Sequence, residues 1–259
     1  MRIAVMSPSR DQGITTVSIL LGLTLAWTQS LSVCLTHSGV DDTSLEAYLG
    51  ISGYKDKTKS ITQIIRLLES NAISGEDIAD YCTKIGNKFE VLNTSAPSIA
   101  RDESAKLLKF VIPNLKHEVI ITDVETELWE DTTQQTIQSA DIIIVVLSQN
   151  IYTVNKLEAW KTSEYYNSVR NKPTMYVINK FDGYVSAFTD FTKQAGLKHI
   201  QCCRLSYSPF IKKTANLGKL HTILPFILDR DVRVCELNND LKECMQVITA
   251  HMGVKCNWR

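Results

Sequence analysis

The sequence predicts an α/β fold: a doubly wound, mainly parallel sheet of about seven strands with helices on both faces. Three observations predict it. Short β-branched runs alternate with amphipathic segments along the chain. Several runs, above all DIIIVVL at 141–147, are continuously apolar, as strands buried on both faces must be. The residues that follow the runs are rich in Asp, Asn, Gln, Ser and Thr, which suits the carboxyl edge where open parallel sheets bind ligands.

Arg2–Met6 is the first strand, and the loop SPSRDQGITT leads from it into a helix over Thr15–Trp27. Ser32–Thr36 is the second strand. Apolar residues at helical spacing predict helices over Ser60–Glu69 and Ser74–Ile85. Strand Phe89–Leu92, helix Asp102–Leu115 and strand Val119–Thr122 follow. Asp141–Leu147 and Thr174–Ile178 are the strongest strands, separated by a helix over Asn155–Ser168. A helix over Ser186–Ala195 precedes the last strand, Ile200–Leu205, and Leu220 to Met252 reads as two helices. Arg2–Met6, Val119–Thr122 and Ile142–Leu147 should be central. Without a linker, repeat or low-complexity segment, 1–259 reads as a single domain.

Composition excludes several classes. The 259 residues are 44% hydrophobic and 22% charged, normal for a globular protein. Lys+Arg and Asp+Glu are both 28, so total charge favours neither nucleic acid nor an anionic membrane. Lys212, Lys213, Lys219, Arg230 and Arg233 are too dispersed to argue DNA binding. The longest apolar stretch, from Val17 to Trp27, is interrupted and too short to span a bilayer, and the four apolar residues before the first loop lead us to expect no cleavable leader. A cytoplasmic protein is expected, at most peripheral to a membrane complex. Leu241, Cys244, Met245 and Ile248 form a stripe suited to a packing helix rather than a membrane anchor. The seven cysteines include no CxxC pair, so neither a zinc site nor a disulfide framework is expected. Cys202 and Cys203 read as core residues rather than a redox pair.

The ordered set of loops resembles the ParA/MinD family of P-loop ATPases, the deviant Walker A group, over essentially the whole chain. The family's loop K-G-G-x-G-K-T-T falls on Ser9, Arg10, Asp11, Gln12, Gly13, Ile14, Thr15 and Thr16. Only Gly13, Thr15 and Thr16 match. Ser9 replaces the lysine that crosses the dimer, and Ile14 the lysine that holds the β- and γ-phosphates. HEVIITD, ending at Asp123, resembles the Walker B strand. SADIIIVVLSQN resembles the strand that follows it. VINKFD places Asn179 where the family has an adenine-contacting asparagine; NKFD also spells the guanine-reading NKxD. LSYSPFIKKTANLGKL resembles the proline-containing loop, with Pro209 beside the adenine. In CLTHSGVDDTSLEAYLG, Thr36 and Ser38 fall where the family has switch aspartates, and Asp41 and Asp42 come slightly later.

The resemblance implies ATP and Mg²⁺ as ligands. Arg10, Gly13, Thr15, Thr16, Asn179 and Pro209 would meet the nucleotide, and Thr15 and Asp123 the metal. Plain readings stand beside these. Arg10 reads first as a solvated loop residue, Asn179 equally as a turn residue, and Asp123 as a strand-end cap. Asp41 and Asp42 read as helix caps before Leu45 ahead of any role as general base.

A phosphate loop aims backbone N–H groups and a helix N-terminus at the phosphate oxygens. Gly13 keeps that backbone device, but Ile14 supplies no charge. Losing one preorganised electrostatic donor costs on the order of 10²–10³ in rate. Losing two leaves hydrolysis near background. The expected function is therefore a scaffold or positioning factor, built on a degenerate nucleotide site and partnering the proteins of a larger apparatus (secretion, pilus, conjugation or segregation). The alternative is a slow ATPase with a rebuilt loop that switches partner binding. Because Ser9 cannot cross a dimer as a lysine does, a monomer or a nucleotide-independent dimer is expected.

Overall fold

The computed structural model of the chain describes residues 1–39, 44–51, 61–94, 110–124 and 131–258. In chain order, β1 (Arg2–Met6), α1 (Ile14–Thr28), β2 (Val33–His37) and α2 (Ser44–Leu49) come first. Next are α3 (Ile61–Glu69), β3 (Thr83–Gly86), β4 (Phe89–Val91) and β5 (Val119–Asp123). They are followed by α4 (Asp131–Ser139), β6 (Ile142–Leu147), α5 (Ile151–Lys161), α6 (Glu164–Asn167), β7 (Thr174–Phe181) and α7 (Phe188–Gln194). The remaining elements are β8 (Cys202–Ser206), α8 (Pro209–Asn216), α9 (Leu224–Leu228) and α10 (Cys235–Met252).

The strands form one sheet in the order β3-β4-β2-β5-β1-β6-β7-β8. Every neighbouring pair is parallel except β3 with β4. The three runs expected at the centre are β5, β1 and β6, and they lie side by side. The reason is legible in β6, whose six residues IIIVVL are all buried. Such a strand is stable only with both faces covered. Along β1 the faces alternate: Ile3 and Val5 join the core with α1, while Ala4 and Met6 join the core with Leu157 and Trp160 of α5. Helix α1 has buried residues all along Val17 to Leu25. It is enclosed because α10 packs on it with the stripe Leu241, Cys244, Met245 and Ile248, all buried. Among the described residues no helix is long and apolar enough to cross a membrane.

The structure corrects two sequence boundaries. The segment 74–85 is not a helix. Ser74 and Asp77 form a capping box over a 3₁₀ turn, Gly75–Tyr81, and the chain then extends as β3. Its pairing with β4, Thr83 opposite Val91 and Lys84 opposite Glu90, outweighs a helical pattern because it satisfies the open edge of β4. The helix expected over 155–168 starts earlier and breaks. Asn150 caps α5 by accepting from the Thr153 N–H at 2.8 Å, and Ser163 caps α6. The last region holds the two helices expected there, the short α9 and the long α10. Of the helix expected over 102–115, residues 110–114 are described and helical.

One buried carboxylate ties α10 to the sheet. Asp240, 1% exposed, accepts from the Ser206 N–H at 2.8 Å and from Arg204 Nε at 3.2 Å. Asp240→Ala leaves that N–H buried and unpaired, and a loss of about 2–4 kcal/mol is expected in urea denaturation. Burial also holds the Asp240 carboxyl above its ordinary range, against the opposing Ser206 and Arg204 contacts. A raised folded-state pKa means that the fold binds this proton more tightly than the unfolded chain does. Its contribution is present at acid pH and is lost as pH rises through the folded value. Asp240→Asn should remove that component, flattening the loss of stability as pH rises above the ordinary carboxylate range.

Candidate functional site

The parallel order sets the carboxyl ends of β1, β2, β5, β6, β7 and β8 along one edge of the sheet. The loop after β1 ends at Gly13, which stands before α1 with φ +83° and ψ 35° and gives the helix no side-chain cap. The first-turn N–H groups of α1 therefore lack the partner that a Ser, Thr or Asp cap supplies, and this leaves the anion-binding end of a helix. The Gly13 position is also crowded. A Cβ there would stand 2.4 Å from Asn179 Nδ2.

Buried Gln12 anchors the loop. Its Oε1 accepts from the Ser148 N–H at 2.9 Å and from Thr153 Oγ1 at 3.2 Å, both at the β6–α5 junction. Its Nε2 donates to the Arg10 carbonyl at 2.7 Å. Its own carbonyl accepts from Asn179 Nδ2 at 2.7 Å. Lys180, in the left-handed region at φ 54°, donates from Nζ to the Asp11 carbonyl at 3.1 Å. The end of β7 thus holds the loop through two neighbouring side chains. Gln149 joins the next two loops, accepting from the Asp182 N–H at 2.6 Å and donating to Ser186 Oγ at 3.1 Å.

Beside this loop is a cavity of about 370 Å³, the size of a small-molecule site. Asp11, Gly13, Thr16, Asn179 and Lys180 line one side; Tyr48, Tyr207, Ser208 and Lys212 are also on its wall. Its charged lining residues are thus Asp11, Lys180 and Lys212, an excess of positive charge.

Of the residues singled out from sequence, Gly13, Thr16 and Asn179 meet at this cavity. Asn179 spends its amide N–H on the loop carbonyl. Arg10 lies exposed on the loop. Thr15 is not among the residues that line the cavity, and its hydroxyl shares a hydrogen bond of 3.1 Å with the Ser44 hydroxyl of α2. Asp123 is buried at the end of β5, in register with Val5 of β1 and His37 of β2. Pro209 is the first residue of α8; its neighbours Ser208 and Ile211 line the cavity instead. Asp41 and Asp42 lie outside the described residues. Ile14 is 8% exposed and belongs to the core shared by α1 and the sheet. Ser9 is also buried, and its hydroxyl has no hydrogen-bond partner among the described residues.

Sequence reasoning missed Gln12, Lys180 and Lys212. Gln12 occupies the unspecified position of the loop pattern and carries no motif signal. Lys180 was visible in VINKFD as the residue beside Asn179. Its reach to the loop after β1 depends on the order of β1, β6 and β7 in the sheet.

No family model and no curated protein matches the sequence. Solved structures do match the fold. The MinC:MinD cell division protein complex of Aquifex aeolicus aligns at TM-score 0.69 and 16% identity, over 98% of this chain and 96% of that one. MinD of Pyrococcus horikoshii, complexed with Mg-ADP, aligns at TM-score 0.69 and 13% identity, over 98% and 99%. A ParA family ATPase of Chlorobium tepidum aligns at TM-score 0.67 and 12% identity, over 98% and 99%. At these identities the likeness speaks to architecture: the chain has the ParA/MinD-type α/β fold.

Proposed function

We propose that this chain is a ParA/MinD-like protein whose nucleotide site has lost catalytic competence, and that it acts as a scaffold or positioning factor for a larger protein apparatus. The observation that carries the reading is Ile14. At the position of the phosphate-holding lysine it presents no charge, and its side chain is given to the core. The MinC:MinD structure supports the partner side of the proposal by analogy of fold. So do Ile151, Tyr152, Tyr184 and Val185, exposed apolar side chains on the loops and helix start after β6 and β7.

Residual nucleotide binding fits the residues present. MinD binds Mg-ADP in the Pyrococcus horikoshii structure. The Thr15 hydroxyl and the Asp123 carboxylate are the hard oxygen donors that Mg²⁺ takes. Thr36, on the strand paired with β5, adds a buried hydroxyl with no hydrogen-bond partner among the described residues. Thr15 and Asp123 would hold the metal, which would offset phosphate charge. The uncapped N-terminus of α1 would meet the phosphates, and the cavity beside Asn179 and Tyr207 would receive the rest of the nucleotide.

Calorimetry with Mg-ATP and a phosphate-release assay test the reading. Phosphate release should not exceed the blank, and ultracentrifugation should show the same oligomeric state with and without ATP. Turnover that Asp123→Ala abolishes would overturn it. Lys180 and Lys212 favour a second reading, a slow ATPase with relocated cations that switches partner binding. In that case Lys180→Ala should cut both turnover and Mg-ATP affinity by about 10-fold or more.

A further inference from the structure

A second cluster of functional groups lies at the other end of the strands. Cys34 is the second residue of β2, Cys82 immediately precedes β3, and His117 lies two residues before β5. One ligand atom from each of the three residues can be chosen so that all lie within 4.8 Å of one another. The two sulfurs are 3.9 Å apart. Two thiolates bound at ~2.3 Å to one tetrahedral ion stand about 3.8 Å apart, so the pair is already at that spacing. A disulfide needs about 2.05 Å.

The two ring nitrogens of His117 have different surroundings. Its Nε2 is 2.9 Å from Glu90 Oε2, and its Nδ1 is buried with no hydrogen-bond partner among the described residues. A carboxylate on one ring nitrogen fixes the tautomer and leaves the lone pair on the other, the arrangement that commonly supports a metal-bound histidine. Glu90 is the register partner of Cys34 across β4 and β2. Cys34 and Cys82 belong to the buried apolar cluster of Ile61, Ile64, Ile78 and Leu92. An unpaired ring nitrogen in such surroundings is costly, and a bound cation removes that cost.

We propose that Cys34, Cys82 and His117 bind a zinc ion, with Glu90 as the positioning residue that orients His117. Two sulfurs and one imidazole suit zinc and not the hard cations magnesium or calcium. A fourth position is left for water. The ion would join β2, the start of β3 and the approach to β5, and so pin the antiparallel edge of the sheet. The absence of CxxC led the sequence to the opposite expectation. The ligands come instead from positions 48 residues apart for the cysteines, brought together by strand order.

The test uses the full chain, purified with a thiol reductant and stripped by a chelator. Zinc titrated against a chromophoric chelator should bind at about one ion per chain and raise Tm. Co²⁺ should give an intense near-ultraviolet thiolate band together with tetrahedral visible bands, on the unmutated protein. Glu90→Gln should weaken zinc binding by about 10–100-fold. His117→Gln should weaken it further, and Cys235→Ser, at an exposed cysteine outside the cluster, should leave it unchanged. Should Cys34→Ser fail to fold, the cobalt spectra of the unmutated chain and of His117→Gln decide. No thiolate–cobalt band, no stoichiometric zinc, or a Cys34–Cys82 disulfide persisting in reductant would each overturn the proposal.

Discussion

Gly13→Ala should destabilise the protein by about 2–5 kcal/mol, from a single methyl group. Two costs combine. The left-handed backbone at φ +83° disfavours any L side chain, by roughly 1–2 kcal/mol. The new Cβ would also stand 2.4 Å from Asn179 Nδ2, so the amide must leave the Gln12 carbonyl that it bonds at 2.7 Å. A buried polar group left unsatisfied adds about 1–3 kcal/mol. Urea denaturation measures the sum. Gly86→Ala is the control, because nothing lies within 4 Å of a Cβ there and its backbone is not left-handed. In a double-mutant cycle, Asn179→Ala should recover part of the Gly13→Ala loss, since both changes break the same contact. Equal stabilities for Gly13→Ala and Gly86→Ala would show that the loop is not held as described.

Ser9→Lys combined with Ile14→Lys should strengthen Mg-ATP binding at least ~10-fold, about 1.4 kcal/mol. The charge should arrive at a modest structural cost. Ile14 sits at the start of α1 and is 8% exposed, so a lysine stem can follow part of its apolar path while the ammonium reaches the loop. Lost packing should lower stability by roughly 1–3 kcal/mol. At position 9 the serine hydroxyl forms no hydrogen bond among the described residues, so its removal breaks none of those contacts. Calorimetry on both forms, with Ile14→Lys alone as the intermediate case, separates the two positions; the single change should give most of the gain. A double variant that folds and binds no better would mean that the cavity and the α1 N-terminus are not arranged for a nucleotide.

The sequence by itself determined the sheet's interior. β6 is six apolar residues that only a two-sided burial can accommodate, and that requirement is local enough to read from the chain. The same holds for the glycine loop before α1, whose Gly-x-Thr-Thr ending between a strand and a helix is legible in the chain. Tertiary structure decided what depends on a partner far along the chain. Residues 83–86 became a strand because β4 offered an open edge, a gain that no helical pattern can register. Gln12 became the anchor of the loop because its buried amide meets Ser148 and Thr153, 136 and 141 residues away. Cys34, Cys82 and His117 met for the same reason. Strand order sets which side chains share a neighbourhood, and it follows from the packing of the whole sheet rather than from any spacing along the sequence.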